Sequence, residues 1–483
     1  METKKRKQAF NPYLPGYEYV PDGEPHVFGD RIYVYGSHDR FNGEDFCLND
    51  YVCWSAPVQD LADWRYEGVI YRKIQDPRTP DPQNHRLFAP DVQQGADGRF
   101  YLYYAFDFTG TIGVAVCSTP AGSYEYYGHV HYKDGTVFGE KEDDFFQYDP
   151  GVLADPTGGV YLYTGFCPSG ELQKRFHLPK PAAAGAMVTE LEPDMVTIKK
   201  EPALLIPGPA ISEKTGFEGH AFFEASSMRM AHGRYYFIYS SEKGHELCYA
   251  VSDRPNSGFI YGGTLLSNGD IGYHGRTEPL NYTGTNHGSM EKIEDRWYIF
   301  YHRQTNGTPY SRQGCAEELT FLPDGSIPQA ELTSCGLNGG PLSGTGSYCA
   351  GIACCLMSRE GAAPYRPKTR IGKNHPYLTQ DGEDRESGPD QYIANMTDGA
   401  AAGFRYFRLN ALQQITVTYR QTGTGVLKIS GDPDEKPFAV LSLEPSREWT
   451  EASVQIEARS GVSSLWFRYE GTGSMDFAGF LLT

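Results

Sequence analysis

The chain has 483 residues, a formal charge of −18, 14% aromatic residues, 55 Gly and 32 Pro. That length accommodates two or three domains, each with a core of its own, and the acidic balance excludes nucleic acid and anionic membranes as partners, since both require basic patches. So many aromatic and turn residues, with no long stretch of 3.6-residue period, predict an all-β chain whose helices are short.

Residues 1–8, METKKRKQ, have no apolar run behind them, so neither a leader nor a membrane anchor is expected and the predicted location is the cytoplasm. The ten Cys are scattered, with no C-x-x-C pair, which in that compartment reads as buried thiols rather than disulfides or a zinc site.

Five segments then repeat: GDRIYVYGS (29–37), DGRFYLYYA (97–105), TGGVYLYTG (157–165), HGRYYFIYS (232–240) and EDRWYIFYH (294–302). Each is a turn followed by a strand of alternating aromatic and β-branched residues. Their anchors, Tyr33, Tyr101, Tyr161, Tyr236 and Tyr298, are 60–75 residues apart, room for one four-stranded sheet per interval. Sheets buried on both faces and repeated in this way arrange radially, and five repeats predict a five-bladed β-propeller over residues 9–345.

A polar residue stands ten to twelve positions before each anchor: Asp22, Asp91, Asp149, Glu224 and His287. One such Asp reads as a turn residue. Five at equivalent places in five blades predict a cluster at the mouth of a central channel. Glu224, in FFEASS, lies among aromatic and small residues, where burial by Phe222 and Phe223 and a neighbouring negative charge would keep it protonated. Asp22, in the open stretch VPDGEP, is the candidate ionised partner, with Glu24 a rival two residues on. One protonated acid and one ionised base are what cleavage of a glycosidic bond requires.

After about residue 345 comes a Gly-rich stretch and a polar loop at 381–390, then seven alternating segments from Gly403 onward, FRYFRL, ITVTYR, VLKIS, AVLSLE, SVQIEA, SLWFRYE and DFAGFLL. These predict a β-sandwich, jelly-roll-like domain over residues 346–483. Its Tyr406, Trp449 and Trp466 read as core rather than sugar-stacking aromatics.

Over residues 10–335 the segments resemble glycoside hydrolase family 43, five-bladed propeller arabinofuranosidases, β-xylosidases and arabinanases. NPYLPGYEYVPDG resembles the family's opening segment, which implies Asp22 as general base. FAPDV (88–92) and YDPGV (148–152) resemble the next two motifs, implying Phe88 and Asp91 at the substrate and Asp149 as the residue that tunes the acid and orients the sugar. FFEASS implies Glu224 as general acid with Phe223 beside the substrate. NHGS (286–289) implies that His287 holds a water or, through water, a calcium ion at the axis, and YSRQ (310–313) implies Arg312 as a donor to sugar hydroxyls. Phe88 stands where many members have Trp, and DPG replaces DPS. The tail resembles a carbohydrate-binding module. Together these imply an inverting, exo-acting glycosidase on pentose-containing oligosaccharides that requires no cofactor. The first reading is an α-L-arabinofuranosidase; the alternatives are a β-xylosidase or galactofuranosidase, then an endo-arabinanase or a non-catalytic sugar-binding propeller.

Overall fold

The computed structural model describes residues 7–78, 85–107, 109–362, 371–386 and 391–483. Residues 1–6, part of the stretch read for a leader, and 387–390 of the polar loop lie outside them. Five antiparallel sheets come first. Blade 1 is β1 (Glu24–Phe28), β2 (Arg31–Tyr35), β3 (Tyr51–Pro57) and β4 (Arg65–Tyr71). Blade 2 is β5 (Leu87–Gln94), β6 (Phe100–Phe106), β7 (Ile112–Cys117) and β8 (Glu125–His129). Blade 3 is β9 (Gly151–Ala154), β10 (Val160–Thr164), β11 (Gly185–Leu191) and β12 (Ile198–Pro207), with a seven-residue helix α1 (Gly170–Phe176) between β10 and β11. Blade 4 is β13 (Phe222–Ala231), β14 (Arg234–Ser241), β15 (Glu246–Ser252) and β16 (Ile260–Ser267), and blade 5 is β17 (Met290–Ile293), β18 (Arg296–Thr305) and β19 (Ser311–Leu319). The five repeated segments are the second strands, β2, β6, β10, β14 and β18, as their turn-then-strand pattern predicts.

Four blades have the four strands expected of each interval; the fifth has three among the described residues. The N-terminal segment lies along β19 instead. Asn11 Nδ2 donates to the Ala316 carbonyl at 2.9 Å, Asn11 Oδ1 accepts from the Ala316 amide at 2.9 Å, and the Tyr13 amide donates to the Gly314 carbonyl at 3.3 Å.

The aromatic strands bury both faces, and five separate cores each join two neighbouring blades. Tyr35, Tyr51 and Tyr71 meet Leu102 and Tyr104 between blades 1 and 2; Tyr101 and Tyr103 meet Val152 and Leu162; Tyr163 meets Phe222 and Phe237; Tyr236 and Tyr249 meet Ile299 and Tyr301; Tyr298 and Phe300 meet Ile32 and Val34. The last of these closes the ring, with a parallel bridge between Gly23 and Gly288 at its inner edge.

The tail forms one ten-stranded sheet folded over a single core: β20 (Leu342–Ser343), β21 (Gly346–Cys349), β22 (Cys355–Met357), β23 (Tyr377–Gln380), β24 (Gln391–Met396), β25 (Ala401–Gln421), β26 (Gly425–Ser430), β27 (Ala439–Leu443), β28 (Ser446–Gly471) and β29 (Met475–Leu482). Phe404, Phe467, Phe477 and Phe480 sit at its centre. Four of the seven predicted segments merge. FRYFRL and ITVTYR are one strand, β25, and SVQIEA and SLWFRYE are another, β28; register shifts let each bend rather than break. Trp466 is buried, but in the core between blades 4 and 5 rather than in the tail's own; Tyr406 packs partly against the tail core and donates to Glu331 at 2.9 Å, and Trp449 lies under the Arg420 guanidinium at 4.4 Å.

Candidate active site

The innermost strands β1, β5, β9, β13 and β17 surround the axis, and ladder register sorts their residues into layers. Glu24, Asp91, Gly151 and Ser227 pair with Tyr35, Tyr103, Tyr163 and Ile238, each two residues beyond its repeat's anchor. Ser289 holds the same level through the Phe300 amide. One layer above stand Asp22, Ala89, Asp149, Glu224 and His287, and all five line one cavity of about 430 Å³.

Asp91, expected at the substrate, therefore does not line this cavity. It is fully buried, accepts from the amides of Val92 at 2.7 Å and Val152 at 2.8 Å, and pairs with His26 at 2.7 Å. Its place at the cavity is taken by Ala89. The cue was in the spacing: Asp91 stands ten residues before its anchor, the others eleven or twelve. Glu24, the rival base, lies in the same deeper layer, held by Arg229 at 2.8 Å and Ser227 at 3.0 Å.

Asp22 and Asp149 end the connections into β1 and β9 with φ of 57° and 43°, a left-handed conformation that turns each carboxyl toward the axis. Glu224 arrives differently. A bulge on either side of it shifts the β13–β14 register, with Ala225 at φ 68°, and this aims the side chain into the cavity. The Ala225 amide donates to Asp149 Oδ2 at 3.2 Å, tying the two strands. Gly151 explains DPG in place of DPS: a Cβ there would collide with the Ser226 carbonyl of the bulge.

Arg312, on β19, is buried and committed. Its Nη1 donates to Asp22 Oδ1 at 2.8 Å, while Nε and Nη2 fork onto Asp39 at 2.8 and 3.0 Å. It lines the cavity and at the same time grips Asp22. His302 backs the same carboxylate: Nδ1 lies 3.2 Å from Asp22 Oδ1, and Nε2 faces the Thr285 carbonyl at 2.5 Å, which requires a hydrogen on Nε2. Burial alone would raise the Asp22 pKa, but the Arg312 and His302 contacts overcome it and hold the carboxyl far below the usual range.

Glu224 has no such cation. Burial and then the Asp22 charge push it up to about 8 against the pull of Arg312. Asp149 is likewise raised well above the ordinary value, by burial and by Glu224 and Asp22. An ionised Asp22 and a Glu224 that holds its proton thus face one cavity. His287, 3.5 Å from Asp149 through Nδ1, is lowered by burial to about 4 and is neutral. Phe88 and Phe223 line the wall with Phe46, Tyr148, Phe166 and Tyr310. Asp39 and His302 were missed in the sequence. His302 carried a signal, since the other four repeats end in Ser37, Ala105, Gly165 and Ser240, all small; Asp39, whose partner is 273 positions away, carried none.

The acidic cluster one layer below His287, the residue to which the resemblance gives a calcium ion through water, does not itself fit such an ion. Glu24, His26 and Asp91 bring their donor atoms within 4.8 Å of one another, but the Arg229 guanidinium already lies among them, 2.8 Å from Glu24 Oε2, 3.4 Å from His26 Nε2 and 3.3 Å from Glu291. A divalent cation needs six to eight oxygens (roughly, at 2.3–2.6 Å) and would be repelled by that charge.

A family model described as glycosyl hydrolases family 43 matches residues 11–327. The chain is 50% identical to a xylosidase/arabinosidase of Thermoclostridium stercorarium over 99% of both proteins. Among solved structures it resembles CoXyl43, a GH43 β-xylosidase/α-arabinofuranosidase from a compost metagenome in complex with xylotriose in a calcium-free form, at TM-score 0.52 and 25% identity over 67% of this chain and 98% of that one. A Bacillus subtilis arabinoxylan arabinofuranohydrolase in complex with cellotetraose matches in fold at TM-score 0.50 and 19% identity, over 98% of this chain and 97% of that one.

Proposed function

The chain belongs to glycosyl hydrolases family 43, and on that footing we propose that it removes single terminal pentosyl units, α-L-arabinofuranosyl first and β-D-xylosyl as the second reading, from short oligosaccharides with inversion. The observation that carries this is the division of labour between two carboxyl groups on one cavity: Asp22, ionised under Arg312, and Glu224, protonated with a pKa of about 8. The second reading is supported by the relative that shares half its sequence, whose name joins both activities.

Water attacks the anomeric carbon as Asp22 takes one of its protons; Glu224 gives its own proton to the departing glycosidic oxygen. One water is consumed, Asp22 ends protonated and Glu224 ionised, and solvent exchange restores both. Asp149 and neutral His287 are placed to hold sugar hydroxyls, and Phe88 and Phe223 to pack on the ring. No step uses a metal. The cavity closes below on the Glu24–Asp91–Ser227–Ser289 layer, which suits a chain end better than the middle of a polymer.

All ten cysteines are free, which supports a reducing compartment and hence a cytoplasmic enzyme acting on imported oligosaccharides; no described helix is long and apolar enough to cross a membrane. The test is hydrolysis of 4-nitrophenyl α-L-arabinofuranoside, β-D-xyloside and β-D-galactofuranoside by wild type and Asp22→Ala, with NMR of the first-formed anomer. Cleavage of the first or second, abolished by the substitution and giving the inverted sugar, is expected. A retained anomer, or activity that survives the substitution, overturns the assignment.

A further inference from the structure

One wall of the cavity is the connection between β2 and β3, residues 36–50. It has no regular structure of its own, yet it supplies Glu44, Asp45, Phe46 and Cys47 to the cavity and, through Asp39, the carboxylate that grips Arg312. Inside the loop, Asp39 Oδ1 accepts from the Cys47 amide at 2.9 Å and Asn49 Nδ2 donates to the Asp39 carbonyl at 3.0 Å. The propeller holds it through the Asn42 amide on Ser311 Oγ at 3.2 Å, Arg86 on Asp45 and Lys73 on the Leu48 carbonyl at 2.8 Å, and the tail adds a further set of bonds.

Asp384 accepts from the Phe41 amide at 2.7 Å with one carboxylate oxygen and from Asn49 Nδ2 at 3.1 Å with the other, pinning both halves of the loop. Arg385 donates to Glu18 Oε2 at 2.7 Å, and Glu18 Oε1 is 3.0 Å from Nε2 of His38, the neighbour of Asp39. Gln380 accepts from the Tyr19 hydroxyl at 2.7 Å, and the Tyr19 ring stacks on Phe41. These bonds fall on a loop backbone amide and on the side chains flanking Asp39, not on strands that are rigid already. CoXyl43 is spanned almost whole by two thirds of this chain, so the remaining third has no counterpart in it.

We propose that Asp384 and Arg385 are positioning residues for catalysis: the tail clamps the 36–50 loop so that Asp39 keeps Arg312 against Asp22 and Phe46 stays on the cavity wall. The rate arm of the test rests on the glycosidase reading above; the other arm does not.

Full-length wild type, Asp384→Ala, Asp384→Asn and Arg385→Met are compared by amide hydrogen exchange and by the pH dependence of kcat/KM on 4-nitrophenyl α-L-arabinofuranoside and β-D-xyloside. For Asp384→Ala, exchange in residues 38–50 rises roughly tenfold while β1, β9 and β13 keep wild-type protection. Its kcat/KM falls about tenfold, and the acid limb of its profile moves to higher pH, because a looser Arg312 lets the Asp22 pKa climb toward its ordinary value. Asp384→Asn, which keeps one acceptor oxygen, falls between, and Arg385→Met follows Asp384→Ala in direction. Wild-type exchange in the loop overturns the proposal. So does faster exchange with an unchanged profile, or a loss of protection spread over all blades with a lowered melting temperature, which is a purely structural role. Should wild type cleave neither glycoside, the glycosidase reading fails, and loop exchange alone decides the clamp.

Discussion

Asp22 is only 5% exposed and still ionised, because the Arg312 guanidinium replaces the water it lost. Glu224, on the same cavity, has no such contact and faces the negative charge of Asp22 instead. The contrast predicts the shape of the pH profile. A base with a depressed pKa stays ionised as pH falls through the usual carboxylate range, and an acid raised to about 8 loses its proton as pH rises through that value. Accordingly kcat/KM holds from below about pH 4 and declines as pH passes about 8, which a pH–rate series on a 4-nitrophenyl glycoside checks. Glu224→Ala slows substrates with poor leaving groups by about 10²–10⁴-fold and those needing no protonation far less; equal losses on both would remove Glu224 from the acid role. Arg312→Met leaves Asp22 and Asp39 as unpaired buried charges and costs about 3–5 kcal/mol in urea denaturation. At this scale the sequence was informative where a residue type clashed with its neighbours, as with a carboxylate in FFEASS. It was silent on Asp39, whose meaning depends on a distant Arg.

Elements decide where those residues point. The bulges around Glu224 and the left-handed turns at Asp22 and Asp149 lift three carboxyl groups into one layer, while the regular ladder at β5 leaves Asp91 one layer down. Counting residues back from an aromatic anchor located the innermost strands but not the layer, since a difference of one or two residues moves a side chain along the axis. Gly151 is the hinge of this arrangement. Gly151→Ala pushes β9 against the Ser226 carbonyl, which is expected to cost about 1–3 kcal/mol and to displace Glu224, lowering kcat with the inner strand still formed; calorimetry and kinetics on the same variant check both. The long strands β25 and β28 teach the same lesson. The segments on either side of each midpoint read as separate strands, yet pairing across the register shifts carries each pair through as one bent strand.

For the molecule as a whole, the ring depends on five shared cores and on an axis that carries its own cation. Arg229 pairs with buried Glu24 at 2.8 Å and with half-buried Glu291 at 3.3 Å. Arg229→Ala is therefore expected to cost about 3–5 kcal/mol in urea denaturation by leaving that layer without its cation. The tail adds a second dependence. Arg405 of β25 pairs with Asp270 and Glu331 at 2.9 Å, so the two β units share buried charge as well as the loop clamp.

The sequence by itself determined the all-β class, the number of blades and the candidacy of Asp22 and Glu224, because repeats, strand periodicity and a carboxylate among aromatics are local patterns that survive in one dimension. Only the tertiary structure decided that Asp91 braces the axis, that Asp39 and His302 lie behind Asp22, that Arg229 stands in the acidic layer below the cavity, and that the tail reaches the loop that walls it. Each of those rests on a contact between residues tens to hundreds of positions apart, and the free energy of such a contact depends on the burial and charge of both partners together.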